Sequence, residues 1–273
     1  MPGRSGPRRR RAYASDARPA RPVVTLTTDF GGTDSYVAEM KGVLLRECPS
    51  VAIVDVTHAV PPQDVLAGSI VLERAVRAFP PGTVHVAVVD PGVGTDRRLI
   101  LTTFGSQIIL CPDNGLITWL ARREPDRIGF RELIWRPDTA PSPTFHGRDI
   151  MAPAAAAIAR DARLVPRWAH SLGADEVTLL PIDVAPDNAT TAEVIYVDHY
   201  GNAVTNLPGE RSADLLTVRV GRRSVRVQRT YADVPVGRPV ALIGSSGLLE
   251  IAVRNGNAAR DLRLKVGSRI RLT

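Results

Sequence analysis

The chain has 273 residues, enough for one large domain or two ordinary ones around a sizeable core. Its formal net charge of +7 sits mostly in one place: residues 1–21 hold seven arginines against the single acid Asp16, so the remainder is nearly neutral. That balance gives the folded part no charge-based reason to bind nucleic acid or an anionic membrane.

Residues 1–21 are rich in Arg, Pro, Gly and Ser and poor in apolar residues, so a disordered tail is expected. The tail has no hydrophobic segment of the secretory kind. No run elsewhere approaches the ~18 apolar residues of a membrane span. Cys48 and Cys111 lie far apart and outside any CxxC spacing. They read as buried thiols of a cytosolic protein rather than a disulfide or metal pair.

In chain order, VVTLTTDF (23–30) predicts a first strand, followed by Gly31-Gly32 and a helix from about Thr33 to Arg46. VAIVDVTH (51–58) predicts a second strand, and the spacing of Val65, Ile70, Leu72 and Val76 a helix over 63–79. TVHVAVVD (83–90), LILTTF (99–104) and QIILCP (107–112) supply three more strands. Short helical patterns follow at Asn114–Arg123 and, Ala-rich, at Arg148–Ala162. Alternation of this kind predicts an α/β domain over 22–165, a mainly parallel open sheet with flanking helices. Prolines and mixed polar residues mark 166–187 as a linker with room for a short strand. Residues 188–273 are dominated by short strands between Gly and Pro, a smaller all-β, barrel-like domain.

Three strands of the first domain end in reactive side chains, Asp29, His58 and Asp90, and their common carboxyl edge is where open α/β sheets bind ligands. After Asp90, the turn PGVG leads to Arg97, placing a guanidinium opposite a carboxylate. The same pattern also fits an Asp that caps a turn beside a solvated Arg. TFHGRD (144–149) sets His146 at a loop–helix junction, where histidines serve structure as well as chemistry. DHYGNAVTN (198–206) and GSSGLLEIAVRNGNAA (244–259) fit both ligand-binding loops and plain hairpins. GxGxxG, GxxxxGK[ST], GxSxG and HExxH are all absent, so no dinucleotide cradle, nucleotide-phosphate loop, serine nucleophile or zinc site is predicted.

Taken together, TTDFGGTDSYVAEMKG, DVTHAVPPQDVLAG, FPPGTVHVAVVDPGVGT, CPDNGLIT, TFHGRDIMAPAAA, DHYGNAVTN and SSGLLEIAVRNGNAA resemble the S-adenosyl-L-methionine (SAM) hydroxide adenosyltransferases, relatives of the fluorinase and chlorinase. The resemblance runs in order over nearly all of 23–273. It implies homotrimers with sites between the N-domain of one chain and the C-domain of its neighbour. It also implies hydrolysis of SAM to adenosine and L-methionine with no metal or redox cofactor. By motif, Asp90, Arg97 and His146 would be the catalytic set. Asp29 would take the ribose diol, Asp34 the amino group of the methionine part, and Phe145 would pack near sugar and base. Asp198, Tyr200 and Asn202 would line the amino-acid and adenine region. Ser245 and Ser246 would hold the methionine carboxylate, and Asn255 the adenine edge. The halogenases resemble this pattern but carry Tyr at the position of Asp90 and Tyr-Ser in place of His146-Gly147. The chain departs from the fluorinase pattern at Gln63, where the fluorinase has an aromatic residue.

From these residues, Asp90 and Arg97 are expected to position and polarise water, with His146 assisting deprotonation. Rival readings are a halide-using enzyme of the same fold, a non-catalytic SAM or nucleoside binder, and a nucleic-acid protein acting through its tail. Asp90 would put negative charge where a halide needs donors.

Overall fold

The computed structural model describes residues 21–211 and 216–273. The expected tail, except the exposed Arg21, lies outside the described residues.

Along the first domain run β1 (Val23–Thr28), α1 (Tyr36–Glu47), β2 (Ala52–Thr57), α2 (Val65–Ala78), β3 (Val84–Val88), β4 (Leu99–Phe104), β5 (Gln107–Pro112), α3 (Thr118–Arg123), β6 (Ile128–Leu133), α4 (Ala152–Arg160), α5 (Val165–Trp168) and β7 (Ala169–Leu172). The strands form one seven-stranded sheet in the order β2-β1-β3-β5-β4-β6-β7. β1 pairs parallel with β2 and β3, and β3 parallel with β5. The other half is antiparallel, because only Gly105 and Ser106 separate β4 from β5 and no crossover fits so short a link. The sheet is therefore half parallel and half antiparallel, where the helix–strand alternation had implied a mainly parallel one. β7 lies inside the stretch expected to be a linker and adds an edge to this sheet.

Helices cover both faces. Met40 and Leu44 of α1 and the alanines of α4 pack on Val24, Leu26, Val84, Val86 and Val88. On the opposite face, Leu72 and Val76 of α2 and Leu120 of α3 pack with Ala87 and Val89. A buried His85 is threaded between them: its Nδ1 lies 2.8 Å from Thr25 Oγ1 and its Nε2 2.7 Å from Gln107 Oε1. Burial lowers its pKa to about 4, so this histidine is a neutral core residue.

The second domain comprises β8 (Thr191–Val197), β9 (Ala203–Pro208), β10 (Thr217–Val220), β11 (Arg223–Gln228), β12 (Pro239–Ile243), β13 (Leu248–Val253), a short α6 (Ala258–Asp261) and β14 (Arg269–Leu272). They close into a barrel ordered β10-β11-β12-β13-β9-β8-β14, sealed by pairing of β14 with β10. Alternate residues such as Val194, Val218, Val225, Ala241, Ile251 and Ile270 point inward and fill it.

Candidate active site

The chain leaves β1 through α1 to reach β2 on one side, then through α2 to reach β3 on the other. The carboxyl ends of β1 and β3, with Thr28 opposite Val88, flank the crevice that this reversal creates. Asp29 directly follows β1, and Asp90 lies two residues past the end of β3, after the buried Val89. A cavity of about 310 Å³ opens there, lined by Asp29, Phe30, Gln63, Val88, Asp90, Pro91, Val93, Thr144, Phe145, His146 and Gly147. Its size matches the lower end of small-molecule sites.

Asp90 and Arg97, joined across the PGVG turn, form a two-point ion pair. Arg97 Nε donates to Asp90 Oδ1 at 2.7 Å, and Nη2 donates to Oδ2. Both side chains are nearly inaccessible, at 5 % and 9 % exposure for Asp90 and Arg97. Arg97 Nη2 also lies 3.2 Å from His146 Nδ1. A guanidinium can only donate, so Nδ1 accepts, the ring proton belongs on Nε2 and the imidazole is neutral. Burial and the Arg97 charge both push His146 below its ordinary pKa of 6.5, with a smaller opposing pull from Asp90. Arg97 itself stands behind the other two, outside the cavity wall, and its Nη1 is buried without a hydrogen-bond partner.

His146 owes its place to an irregular helix start. The expected helix from Arg148 begins instead with a π-helical turn over Gly147–Met151, and regular α4 follows only from Ala152. A Cβ built on Gly147 would meet Met40 Sδ and the Val88 methyls at 3.4–3.5 Å, ordinary contact distances that show how closely this turn packs on β3.

Asp29 is held by the backbone N–H of Gln63, 2.8 Å from Oδ2. Gln63 has φ +66°, a left-handed conformation unusual for a residue with a side chain. Phe145 is buried and meets Phe30 and Tyr36 edge-on, with centroids 5.8 and 5.4 Å away. Arg148 lies 4.8 Å over the Phe145 ring while donating to Glu39 at 2.7 Å and to both Asp149 oxygens at 2.6 and 3.0 Å. A second cavity of about 370 Å³, lined by Phe30, Tyr36, Glu39, Ser142, Thr144, Phe145 and Arg148, shares Phe30, Thr144 and Phe145 with the first. Phe30, Tyr36, Glu39 and Arg148 were not singled out from the sequence. Two aromatics flanking Gly31-Gly32, in a chain with only five Phe and five Tyr, were a usable signal.

The remaining candidates lie elsewhere. Asp34 is exposed ahead of α1 and does not line the cavity. His58, at the end of β2, contacts Thr28 Oγ1 at 2.8 Å and Asp55 at 3.0 Å, a structural use. Among the described residues, the barrel contributes none to either cavity. Asp198 Oδ1 accepts from the backbone N–H groups of Tyr200 and Asn202 at 3.0 and 2.8 Å, and Oδ2 from Asn202 Nδ2 at 3.0 Å. Within one chain these are the contacts of a self-contained turn, from which Tyr200 projects at 73 % exposure. Asn255, at φ +52°, occupies another exposed turn. Ser245 and Ser246 form the tip between β12 and β13 and line a cleft of about 830 Å³ against α3.

Cys48 and Cys111 are both buried free thiols. Among the described residues, no cluster of His, Cys, Asp and Glu could hold a metal ion, and no helix is long and apolar enough to cross a membrane.

Comparison with known proteins places the whole arrangement. The model of the SAM hydroxide adenosyltransferase N-terminal domain matches residues 24–165, and that of the C-terminal domain matches 192–271. A curated relative from Thermus thermophilus named (R)-S-adenosyl-L-methionine hydrolase is 42% identical over 262 residues, covering 92% of this chain and 99% of the relative. A Nocardia brasiliensis protein named fluorinase is 28% identical, covering 90% of this chain and 95% of its own. The crystal structure of an uncharacterized conserved protein from Thermotoga maritima superposes with a TM-score of 0.81 at 38% identity, covering 92% and 99% of the two chains. With both domain models matched and a 42% identical relative spanning nearly its full length, this chain belongs to the SAM hydroxide adenosyltransferase family.

Proposed function

We propose that this protein hydrolyses SAM to adenosine and L-methionine, and that its substrate is the (R) sulfonium epimer named in its hydrolase relatives. One observation carries the reading: a carboxylate and a neutral imidazole line one cavity and are tied together from behind by a single guanidinium.

In the reaction, the water oxygen bonds to C5′ as the C5′–S bond breaks. The bond's electron pair goes to sulfur, giving neutral methionine, and one proton leaves the new hydroxyl. Water and the sulfonium balance this equation without a cofactor. A positive charge is discharged at the reacting centre, so a desolvated pocket favours the step. Holding water in line with the C–S bond can supply ~7–11 kcal/mol of barrier reduction.

Sequence reasoning gave proton uptake to His146, but the Arg97–His146 contact favours Asp90 in that role. With Nδ1 occupied by Arg97, His146 offers an Nε2–H to the water oxygen, and Asp90 is the acceptor for the water proton. Attack by neutral water generates a protonated alcohol, which is acidic enough for even an arginine-paired carboxylate to take its proton. Arg97 fixes both partners and keeps the imidazole neutral.

The ligand would span two chains of a homotrimer. In support of this, both cavities are built wholly from the N-domain, while Tyr200, Ser245 and Asn255 are exposed on the barrel. Asp29 would hold the ribose diol and Phe145 the base and sugar, with the barrel candidates closing the site from the neighbour. The two buried free thiols, Cys48 and Cys111, suit a reducing cytosol.

Chromatographic detection of adenosine and methionine from each SAM epimer tests the activity. Release from neither epimer refutes it. A chlorinated nucleoside formed in excess chloride would instead favour halide transfer, the activity of the fluorinase side of the relatives. Asp90 opposes that outcome, since a carboxylate repels the halide nucleophile.

A further inference from the structure

The Ser245–Ser246 turn is not free-standing. Gly244 and Gly247 close it through a Gly247 N–H to Gly244 C=O bond of 2.9 Å, and Gly247 takes φ +73°, which a residue with a side chain adopts at a cost. The N-domain reaches across to hold it: Arg123, the last residue of α3, donates through Nη1 to the Ser246 carbonyl at 3.0 Å. The same Nη1 lies 2.9 Å from Glu73 Oε1. Glu73, in the middle of α2, is 1 % exposed and also receives Arg77 Nε. Arg123 therefore cannot swing freely; its guanidinium is clamped by a buried carboxylate and points at one peptide of the turn.

Glu73, Arg77 and Arg123 have no part in the chemistry at Asp90, whose cavity they do not line. Two arginines on one buried carboxylate would be a costly arrangement if its only role were packing. The contact with Ser246 gives it a second use. With its carbonyl held by Arg123, the turn has one peptide fixed against the N-domain while Ser245 stays exposed.

We propose that Arg123, clamped by Glu73, is a positioning residue that presets the Ser245–Ser246 turn to receive the carboxylate of the methionine moiety. The inference rests on the SAM-hydrolase reading above and assigns a device within one chain that serves the site it completes in another.

The test compares two sulfonium substrates: SAM, and its decarboxylated counterpart, which lacks the carboxylate. Arg123→Lys retains a charge for Glu73 but loses the planar fork that reaches two acceptors at once. Loss of an oriented site for a charged group is worth roughly tenfold or more. The Arg123→Lys variant should thus lower kcat/KM for SAM at least tenfold, mainly through KM, while leaving kcat/KM for the decarboxylated substrate within about twofold of wild type. Glu73→Gln, which weakens the clamp without touching the turn, should shift the same ratio in the same direction by less and serves where the lysine variant folds poorly. Equal losses on both substrates, or no loss on either, in a variant with wild-type melting and assembly would overturn the proposal. Failure of the wild-type protein to hydrolyse SAM is a separate result that removes the functional reading itself.

Discussion

The molecule contains two arginine–carboxylate centres that use the same chemistry to opposite ends. At the mouth of β3, Asp90 is paired with one guanidinium, and its carboxylate and the neighbouring imidazole still border an open cavity. Between α2 and α3, Glu73 is shared by two guanidinium groups and sealed from solvent. A carboxylate that borders a hollow can act on a ligand. One enclosed between two guanidinium groups, away from that hollow, holds other groups in place. Burial alone therefore does not mark the reactive centre, since the less accessible carboxylate is the structural one.

The comparison breaks most visibly at Asp90. Asp90→Asn should lower kcat by about 10²–10⁴-fold, the usual contribution of a positioned proton acceptor, with little change in melting. A kcat within threefold of wild type would remove Asp90 from the chemistry. The converse holds for Glu73→Ala, which takes the buried carboxylate from Arg123, whereas Arg77 keeps Glu124 at 2.8 Å. It should destabilise the fold by about 3–5 kcal/mol in denaturant unfolding. A loss under about 1 kcal/mol would show that Arg123 finds solvent or another partner once Glu73 is gone.

Subunit mixing sharpens the contrast between the halves of the site. Chains carrying Asp90→Asn and chains carrying Ser245→Ala with Ser246→Ala should each be impaired and should regain activity when co-assembled, because one intact N-domain then meets one intact barrel turn. Absence of any recovery in proven mixed oligomers would place the whole site within one chain.

A gentler probe is pH. His146 must stay neutral to accept from Arg97, and its pKa is pushed below 6.5 by burial and by that arginine. Activity should therefore hold as pH falls through 6.5, where an ordinary histidine is half protonated, and decline only at lower pH. An acid limb of kcat/KM at or above 6.5 would contradict the contact. The smallest effect is expected at Gln63. Gln63→Gly keeps the N–H to Asp29 and relieves a left-handed residue worth about 1–2 kcal/mol, partly offset by the freer unfolded chain. A net stabilisation below about 1 kcal/mol should appear in the denaturation midpoint.

Much of this was written in the sequence where periodicity is strong. β1 and β3 announce themselves by runs of Val, Leu and Thr, and each stops at a reactive aspartate. β6 was not foreseen, because Ile128–Leu133 contains Gly129, Arg131 and Glu132 and buries only every third residue instead of alternating. β9 hid inside a stretch read as one turn, and its strand character comes from its partners β8 and β13. In the site, the meeting of Asp90 and Arg97 was legible from a seven-residue separation, whereas His146 required the family resemblance. The Arg123–Ser246 contact joins residues 123 positions apart through a backbone carbonyl, which no residue pattern encodes.

The closed barrel has a consequence for how this chain meets other chains. Among the described residues, the closed ring of strands gives that domain no edge strand. The open sheet ends on one side in β2, where Asp55 binds Lys41 at 2.5 Å, and on the other in the four-residue β7, with His170 and Ser171 exposed. Neither border is long and greasy enough to template fibrillar growth, so encounters between copies are steered toward loops and side chains, contacts that stay reversible and finite.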